Sequence, residues 1–445
     1  MRFTKPGPPQ AVLLSYVALI AVGVLLFMLL PTTKAKVSPI DALFTVTSAV
    51  TVTGLTVINT ETQLTDTGKW LILSLIQIGG LGYMTLTTFL LITFRRKIGV
   101  KERLILSESL NYPGVYGLVR FLKRVVLFVF IIEAAGCLLL YIHWVPSMGI
   151  TGAAFPAFFH SVSAFNNAGF SLFTDNLIPF RGDLYVNLVI SALIFLGGIG
   201  FFVIHDIYLL FTKRTERLST HTKLVLSLSI MLVVFGWLGL ILTEFAHYNG
   251  IWSLNWKERL LSTLFLSVSS RTAGFNTVDI GSLSESSLFL LTILMFIGAS
   301  PGSTGGGIKT TTFSVILLSV LSYVRGRSEV VVFNRSIPQD LIHRAMVVMA
   351  LAFTYIAFVN LLIDRIEEKD FLSTLFEVVS AFATVGLSVG GGEGLSFSAQ
   401  FSSFSKILIV LSMIVGRVGI VSFALALVGR EEESRIKHPE ARLLL

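Results

Sequence analysis

The chain has 445 residues and a single cysteine, Cys137. One cysteine excludes an intrachain disulfide and any cysteine-built metal site. Charge is scarce: 13% of residues are Asp, Glu, Lys or Arg, where a soluble domain carries about 25%. Hydrophobic residues make up 53%, and the mean hydropathy is +0.81. These values exclude an ordinary soluble domain and point to the membrane. No nucleophile with a base, no carboxylate pair and no metal-ligand cluster lines up, so an enzyme is not expected. No GxGxxG follows a strand, so no nucleotide-binding domain is expected in the chain itself. The net charge of +8 does not imply nucleic acid, because the basic residues lie between apolar spans as membrane topology requires.

What is present is repetition. Four segments share one pattern: Leu43–Leu55 (LFTVTSAVTVTGL), Phe158–Phe170 (FFHSVSAFNNAGF), Leu264–Phe275 (LFLSVSSRTAGF) and Leu375–Leu387 (LFEVVSAFATVGL). Their glycines are Gly54, Gly169, Gly274 and Gly386, separated by 115, 105 and 112 residues. A long apolar run precedes each segment, at residues 11–30, 121–145, 222–246 and 341–363. Another follows, at residues 69–94, 184–211, 287–324 and 404–429. All eight runs are long enough to span a bilayer, whereas the segments between them are too short and read as re-entrant helices. The predicted fold is therefore an all-α polytopic membrane protein with eight transmembrane helices and four re-entrant pore loops. Its units are residues 1–94, 95–211, 212–325 with an intramembrane loop at 298–312, and 326–445 with the C-terminal tail. The first run, Ala11–Leu30, is followed by PTTKAK rather than a small-residue cleavage site, and is read as an uncleaved span.

Charge sets the sidedness. Of 34 Lys and Arg, 22 lie in the N-terminus, the inter-repeat loops and the tail, and only 9 between first and second runs. The positive-inside rule places both termini in the cytoplasm and opens the pore loops to the outside. Residues 95–124 form the longest cytoplasmic connection, a docking surface for a partner or for anionic lipid, or simply topogenic charge.

Four similar units can surround an axis. A cation leaving water must find replacement oxygens, and extended glycine-bearing loops supply backbone carbonyls. The preceding half-helices add their negative C-terminal ends. The predicted filter comprises Val52, Thr53 and Gly54; Asn167, Ala168 and Gly169; Thr272, Ala273 and Gly274; and Thr384, Val385 and Gly386, with a dehydrated cation at their carbonyls. The third unit has one residue fewer between Ser269 and its glycine, so the site should be only pseudo-fourfold. Asp41, Asp175, Asp279 and the run at Asp364–Asp370 offer an acidic outer vestibule or a solvated face. Arg271 and Glu377 are expected to anchor pore helices.

The second runs carry glycine clusters: GGLG at Gly79–Gly82, GGIG at Gly197–Gly200 and GRVG at Gly416–Gly419. In the third unit, Ile297–Thr312 reads IGASPGSTGGGIKTTT. A helix does not run well through that composition, and irregular backbone at membrane depth belongs where it lines water or is buried. The expected gate is this loop, Gly298, Pro301, Gly302, Ser303, Thr304, Gly305, Gly306, Gly307 and Lys309, together with Arg417. Arg417 stands where other units have Gly80 and Gly198. It either faces the pore, repelling cations or bonding loop carbonyls, or pairs with Glu133 or Asp206. Gly302–Gly307 before Lys309 and Thr310 nearly spells a phosphate loop, but the lysine is one residue late and no strand precedes it.

With one glycine in each of four degenerate repeats, the chain resembles the superfamily of potassium transporters that contains the Trk, Ktr and HKT proteins, over nearly its whole length. The resemblance implies potassium uptake, with K+ at the filter carbonyls. In some plant relatives a serine at the first filter position goes with sodium, and this chain has Gly54 there. It also implies a homodimer and a separate cytoplasmic KtrA-type ring, RCK-like, that binds ATP or ADP. This chain itself is expected to bind no cofactor. Sodium- or proton-coupled symport, a sodium-conducting member and a non-conducting scaffold are the alternatives.

Overall fold

The computed structural model describes residues 8–82 and 117–428, apart from 246, 248, 249 and 393. Most of the 95–124 connection and the C-terminal tail lie outside the described residues. The first unit contains α1 (Pro8–Leu29), α2 (Pro39–Thr51) and α3 (Asp66–Leu81). The second contains α4 (Leu118–Phe165), α5 (Leu184–Gly198) and α6 (Phe201–Phe211). In α4 the spanning helix and the short pore helix run together, parted by a non-helical Gly149 (φ 76°, ψ 167°). The third contains α7 (Thr220–Thr243), α8 (Trp256–Ser269), α9 (Glu285–Phe296) and α10 (Thr310–Val324). The fourth contains α11 (Gln339–Glu367), α12 (Phe371–Phe382), α13 (Ser403–Val418) and α14 (Ile420–Val428). The fold is the helical membrane architecture expected, with short helices between long apolar ones and one small antiparallel pair of strands, Val331–Val332 with Arg335–Ser336.

Local sequence explains where the second helices begin. Thr65, Asp183, Ser284 and Ser402 cap α3, α5, α9 and α13, each accepting a backbone N–H from the first turn. Such caps satisfy donors that a helix start otherwise leaves without partners.

The second runs differ from expectation. Four described helices are long and apolar enough to cross a membrane: Pro9–Leu29, Leu118–Phe165, Thr220–Thr243 and Gln339–Glu367. These are the first runs. The second runs are broken, and not only in the third unit. Helices α5 and α6 meet at 99°, and α13 and α14 at 104°. The cause is the last glycine of each cluster. Gly200 (φ 95°) and Gly419 (φ 90°) adopt a backbone that side-chain-bearing residues resist, and Gly82 (φ 78°) ends α3 the same way.

The first glycine of each cluster has a different task. A Cβ at Gly79, Gly197 or Gly416 would collide with the carbonyl of Val50, Phe165 or Phe382, in the last turn of the unit's own pore helix. The second helix thus lies directly on pore-helix backbone. Each pore helix also packs on the second helix of the preceding unit: α2 on α13, the end of α4 on α3, α8 on α5, and α12 on α9. Those contacts close the four units into a ring in chain order.

Gly416→Ala should therefore lower folding stability by about 1–3 kcal/mol, as overpacking does in a core. Thermal unfolding of the purified protein, followed by size-exclusion chromatography, checks this; an unchanged midpoint would contradict the contact.

Candidate ion pathway

The four pore helices end at Thr51, Phe165, Ser269 and Phe382, and the chain then leaves the helix in the same way each time. Two residues before each glycine, the backbone turns left-handed: Val52 (φ 58°), Asn167 (φ 58°), Thr272 (φ 77°) and Thr384 (φ 51°). Holding non-glycine residues there costs of order 1–3 kcal/mol each, so surrounding contacts must enforce it. A serine supplies them in every unit. Ser48 Oγ accepts the Gly54 N–H at 3.0 Å, and Ser380 Oγ accepts that of Gly386 at 3.0 Å. Ser163 Oγ donates to the Phe170 carbonyl at 2.8 Å, and Ser269 Oγ to that of Phe275. All four serines are buried. Sequence reasoning passed over them as site residues, although a serine at one place in all four repeats was a visible signal.

The glycines follow at φ 95°, 70°, 76° and 90°. A Cβ on Gly54 would meet the Ala168 carbonyl; on Gly169, that of Ala273; on Gly274, that of Val385; and on Gly386, that of Thr53. Each glycine thus faces the carbonyl that precedes the next unit's glycine, and the fourth returns to the first. All twelve expected filter residues are brought together in these loops. The Asn167 side-chain amide lies 3.0 Å from Thr272 Oγ1, which ties the second loop to the third.

A cavity of about 350 Å³ is lined by Gly54, Gly169, Gly274 and Gly386 and by the residues after them. Asp175 and Asp279 also line it. Asp41 does not; it pairs with Lys406 at 2.7 Å. Asp370 caps α12 through Ser373 N–H at 2.8 Å. Arg271 and Glu377 do anchor neighbours: Arg271 donates to the Ser229 carbonyl at 3.2 Å, and Glu377 accepts the Ser398 N–H at 2.9 Å.

A second cavity, of about 520 Å³, is lined at the helix breaks by Gly82, Gly416 and Gly419, by the 301–309 loop and by Arg417. The loop between α9 and α10 lies against the pore-helix ends. Ser300 N–H donates to Gly198 O at 3.0 Å, and the Thr304 hydroxyl to Gly197 O at 3.1 Å. Gly306 N–H donates to Thr384 Oγ1 at 2.8 Å, and a Cβ on Gly305 would collide with Thr272 Oγ1. Gly302 O accepts the Phe201 N–H at 2.8 Å, and Lys309 Nζ folds onto Gly305 O at 2.8 Å. That lysine is spent on its own loop, unlike a phosphate-binding one. Gly298 backs onto Gly306 and Gly307, and Pro301 and Ser303 form the turn facing the cavity.

Arg417 completes the arrangement. Its guanidinium donates to the carbonyls of Thr304, Gly79 and Gly80 and to Tyr16 Oη at 3.3 Å. It therefore joins the loop of the third unit to the first unit from a position in the fourth. No acidic partner is found for it among the described residues. Glu133 bonds Gln77 and Asn166, and Asp206 bonds Ser219.

A closed ring of four glycine loops, with a cavity beside it and an apolar helical shell around it, defines a polytopic membrane protein of the transporter class. Residues 10–437 match the family model of TrkH, described as cation transport protein, and the chain belongs to that family. It is 40% identical to Ktr system potassium uptake protein B of Bacillus subtilis, over 100% of this chain and 97% of the relative. It is 36% identical to the protein of the same name from Vibrio alginolyticus, over 99% and 95%. It is also 35% identical to potassium/sodium uptake protein NtpJ of Enterococcus hirae, over 91% and 89%. The crystal structure of the potassium transporter TrkH from Vibrio parahaemolyticus shares the fold, with TM-score 0.72 and 19% identity over 96% of this chain and 86% of that one.

Ser380→Ala would leave the buried Gly386 N–H without an acceptor, at a cost of about 1–3 kcal/mol. In liposome flux assays the variant should discriminate less between alkali cations than the parent; equal discrimination would remove the serine from the site.

Proposed function

We propose that this chain carries potassium ions into the cell through a channel-like pore. The observation that carries the reading is the closed sequence of four glycines, each set against a neighbouring loop's carbonyl. Carbonyls at that ring would replace a cation's hydration shell, and the pore-helix C-termini would add favourable potential. Asp175 and Asp279, beside the outer cavity, would raise the local cation concentration. The names of the Bacillus and Vibrio relatives support potassium as the ion and uptake as the direction.

In this reading the 298–309 loop is the gate. Its contacts with Thr272 and Thr384, two residues before the third and fourth loop glycines, support that role. Arg417 holds it closed in two ways, by bonding the Thr304 carbonyl and by placing positive charge on the cation path. The protein would sit in the cell membrane with both termini in the cytoplasm, as a homodimer. The relatives' designation as a system supports a separate subunit, for which a nucleotide-binding KtrA-type ring on the cytoplasmic face is the proposal. A second reading, coupling to sodium, has the name of the Enterococcus relative in its favour.

Two experiments test this. Expressed in a bacterium lacking potassium uptake, with and without the partner ring, the chain should restore growth at low potassium. Gly54→Ser should weaken rescue and raise sodium entry, because the added side chain strains a φ of 95° and meets Ala168. No rescue in either setting, despite membrane insertion, would defeat the potassium reading. In proteoliposomes, Arg417→Ala should raise potassium flux several-fold at equal protein; flux at or below the parent's would defeat the gate.

A further inference from the structure

A third cavity, of about 560 Å³, lies between α3, the first half of α4 and the pore-helix half of α4. Its walls include Trp70, Phe130, Leu138, Tyr141 and Phe158. Trp70 and Phe130 are 51% and 52% exposed, so the groove opens at the apolar surface of the helical shell. The Trp70 ring lies tilted against Phe155 and Phe158, with centroids 4.9 and 5.9 Å away, and forms an aromatic rim. The volume falls in the range of small-molecule sites, about 300–1,000 Å³.

An apolar groove facing lipid would ordinarily hold an acyl chain. This one has a carboxyl group at its floor. Glu133 lines the cavity, is 5% exposed and stands midway along the spanning part of α4. Gln77 Nε2 donates to one oxygen at 3.1 Å and Asn166 Nδ2 to the other at 3.0 Å. Both oxygens thus accept from side-chain amides, which hold the carboxyl in place at the floor of the groove. None of the ion pairs among the described residues includes Glu133. An acidic side chain at membrane depth without a cation is expensive and marks a functional site.

We propose that this groove binds lipophilic organic monocations that enter from the bilayer. The cationic centre sits against Glu133, and its apolar arms lie on the Trp70, Phe130 and Tyr141 walls. A carboxylate, aromatic faces that attract cations and walls open to lipid together select charge and apolarity at once. A neutral lipid chain satisfies only the walls. The site also reaches the ion path, since Asn166 directly precedes Asn167 and its side chain fills the space beside Gly80.

The lone cysteine, Cys137, lines the groove and reports on it. The full chain is placed in phosphatidylcholine nanodiscs, and alkylation of Cys137 by N-ethylmaleimide is timed with tetraphenylphosphonium as probe. Saturating probe should slow alkylation about tenfold, and Glu133→Gln should raise the concentration needed by about tenfold, the effect of losing one charge contact. Leu138→Trp, which fills the groove and keeps the carboxyl, should abolish the probe's effect, so the result does not rest on one variant. Tetraphenylborate, the same shape with opposite charge, should not protect. Equal protection by the borate or in Glu133→Gln, no protection at all, or a Cys137 already unreactive because a second copy of the chain covers it would each overturn the proposal.

Discussion

Backbone must approach backbone around the axis, with no side chain between. This constraint recurs at two radii. In the inner ring, each loop glycine faces the carbonyl of the next loop. In the outer one, Gly79, Gly197 and Gly416 lie on the last-turn carbonyls of the pore helices. Any other residue would push a loop or helix outward and open the ring. The buried serines then fix the loops in left-handed turns that their sequence alone would not choose. Stability and the proposed ion recognition thus depend on the same few atoms.

Breaking the second helices has a cost that the structure meets locally. Each break frees carbonyls that find no partner in hydrocarbon. In the second unit the 298–309 loop satisfies them, through Ser300 and Thr304 on Gly198 and Gly197. In the first unit Arg417 does so, on Gly79 and Gly80. An arginine is expensive in a membrane unless its donors are used, and here the freed carbonyls use them. The same bonds tie three units together beneath the glycine ring, so moving the loop requires the guanidinium to let go.

Much of this was legible in the sequence. Four glycines in register and a half-helix before each are local patterns, and they lead to the ring directly. The Gly- and Pro-rich stretch after Ile297 also declared itself. The breaks at Gly200 and Gly419 did not, because Leu, Ile and Phe on both sides keep the runs apolar across the bend. Hydropathy registers burial in lipid and not direction. The partners of Arg417 were likewise out of reach: they are carbonyls more than a hundred residues away in the chain, and carbonyls carry no sequence signal. Glu133 was noted only as a possible partner for that arginine. Its actual neighbours, Gln77 on α3 and Asn166 at the far end of α4, are brought to it only by the packing.

The central claim is that the four glycine loops form one cation site. Crystals of the purified chain grown in thallium, a heavy stand-in for potassium, test it directly by anomalous scattering. The account predicts a peak on the axis among the carbonyls of Thr53, Ala168, Ala273 and Val385, displaced by excess potassium. An empty axis, or a peak elsewhere that potassium does not displace, would contradict it.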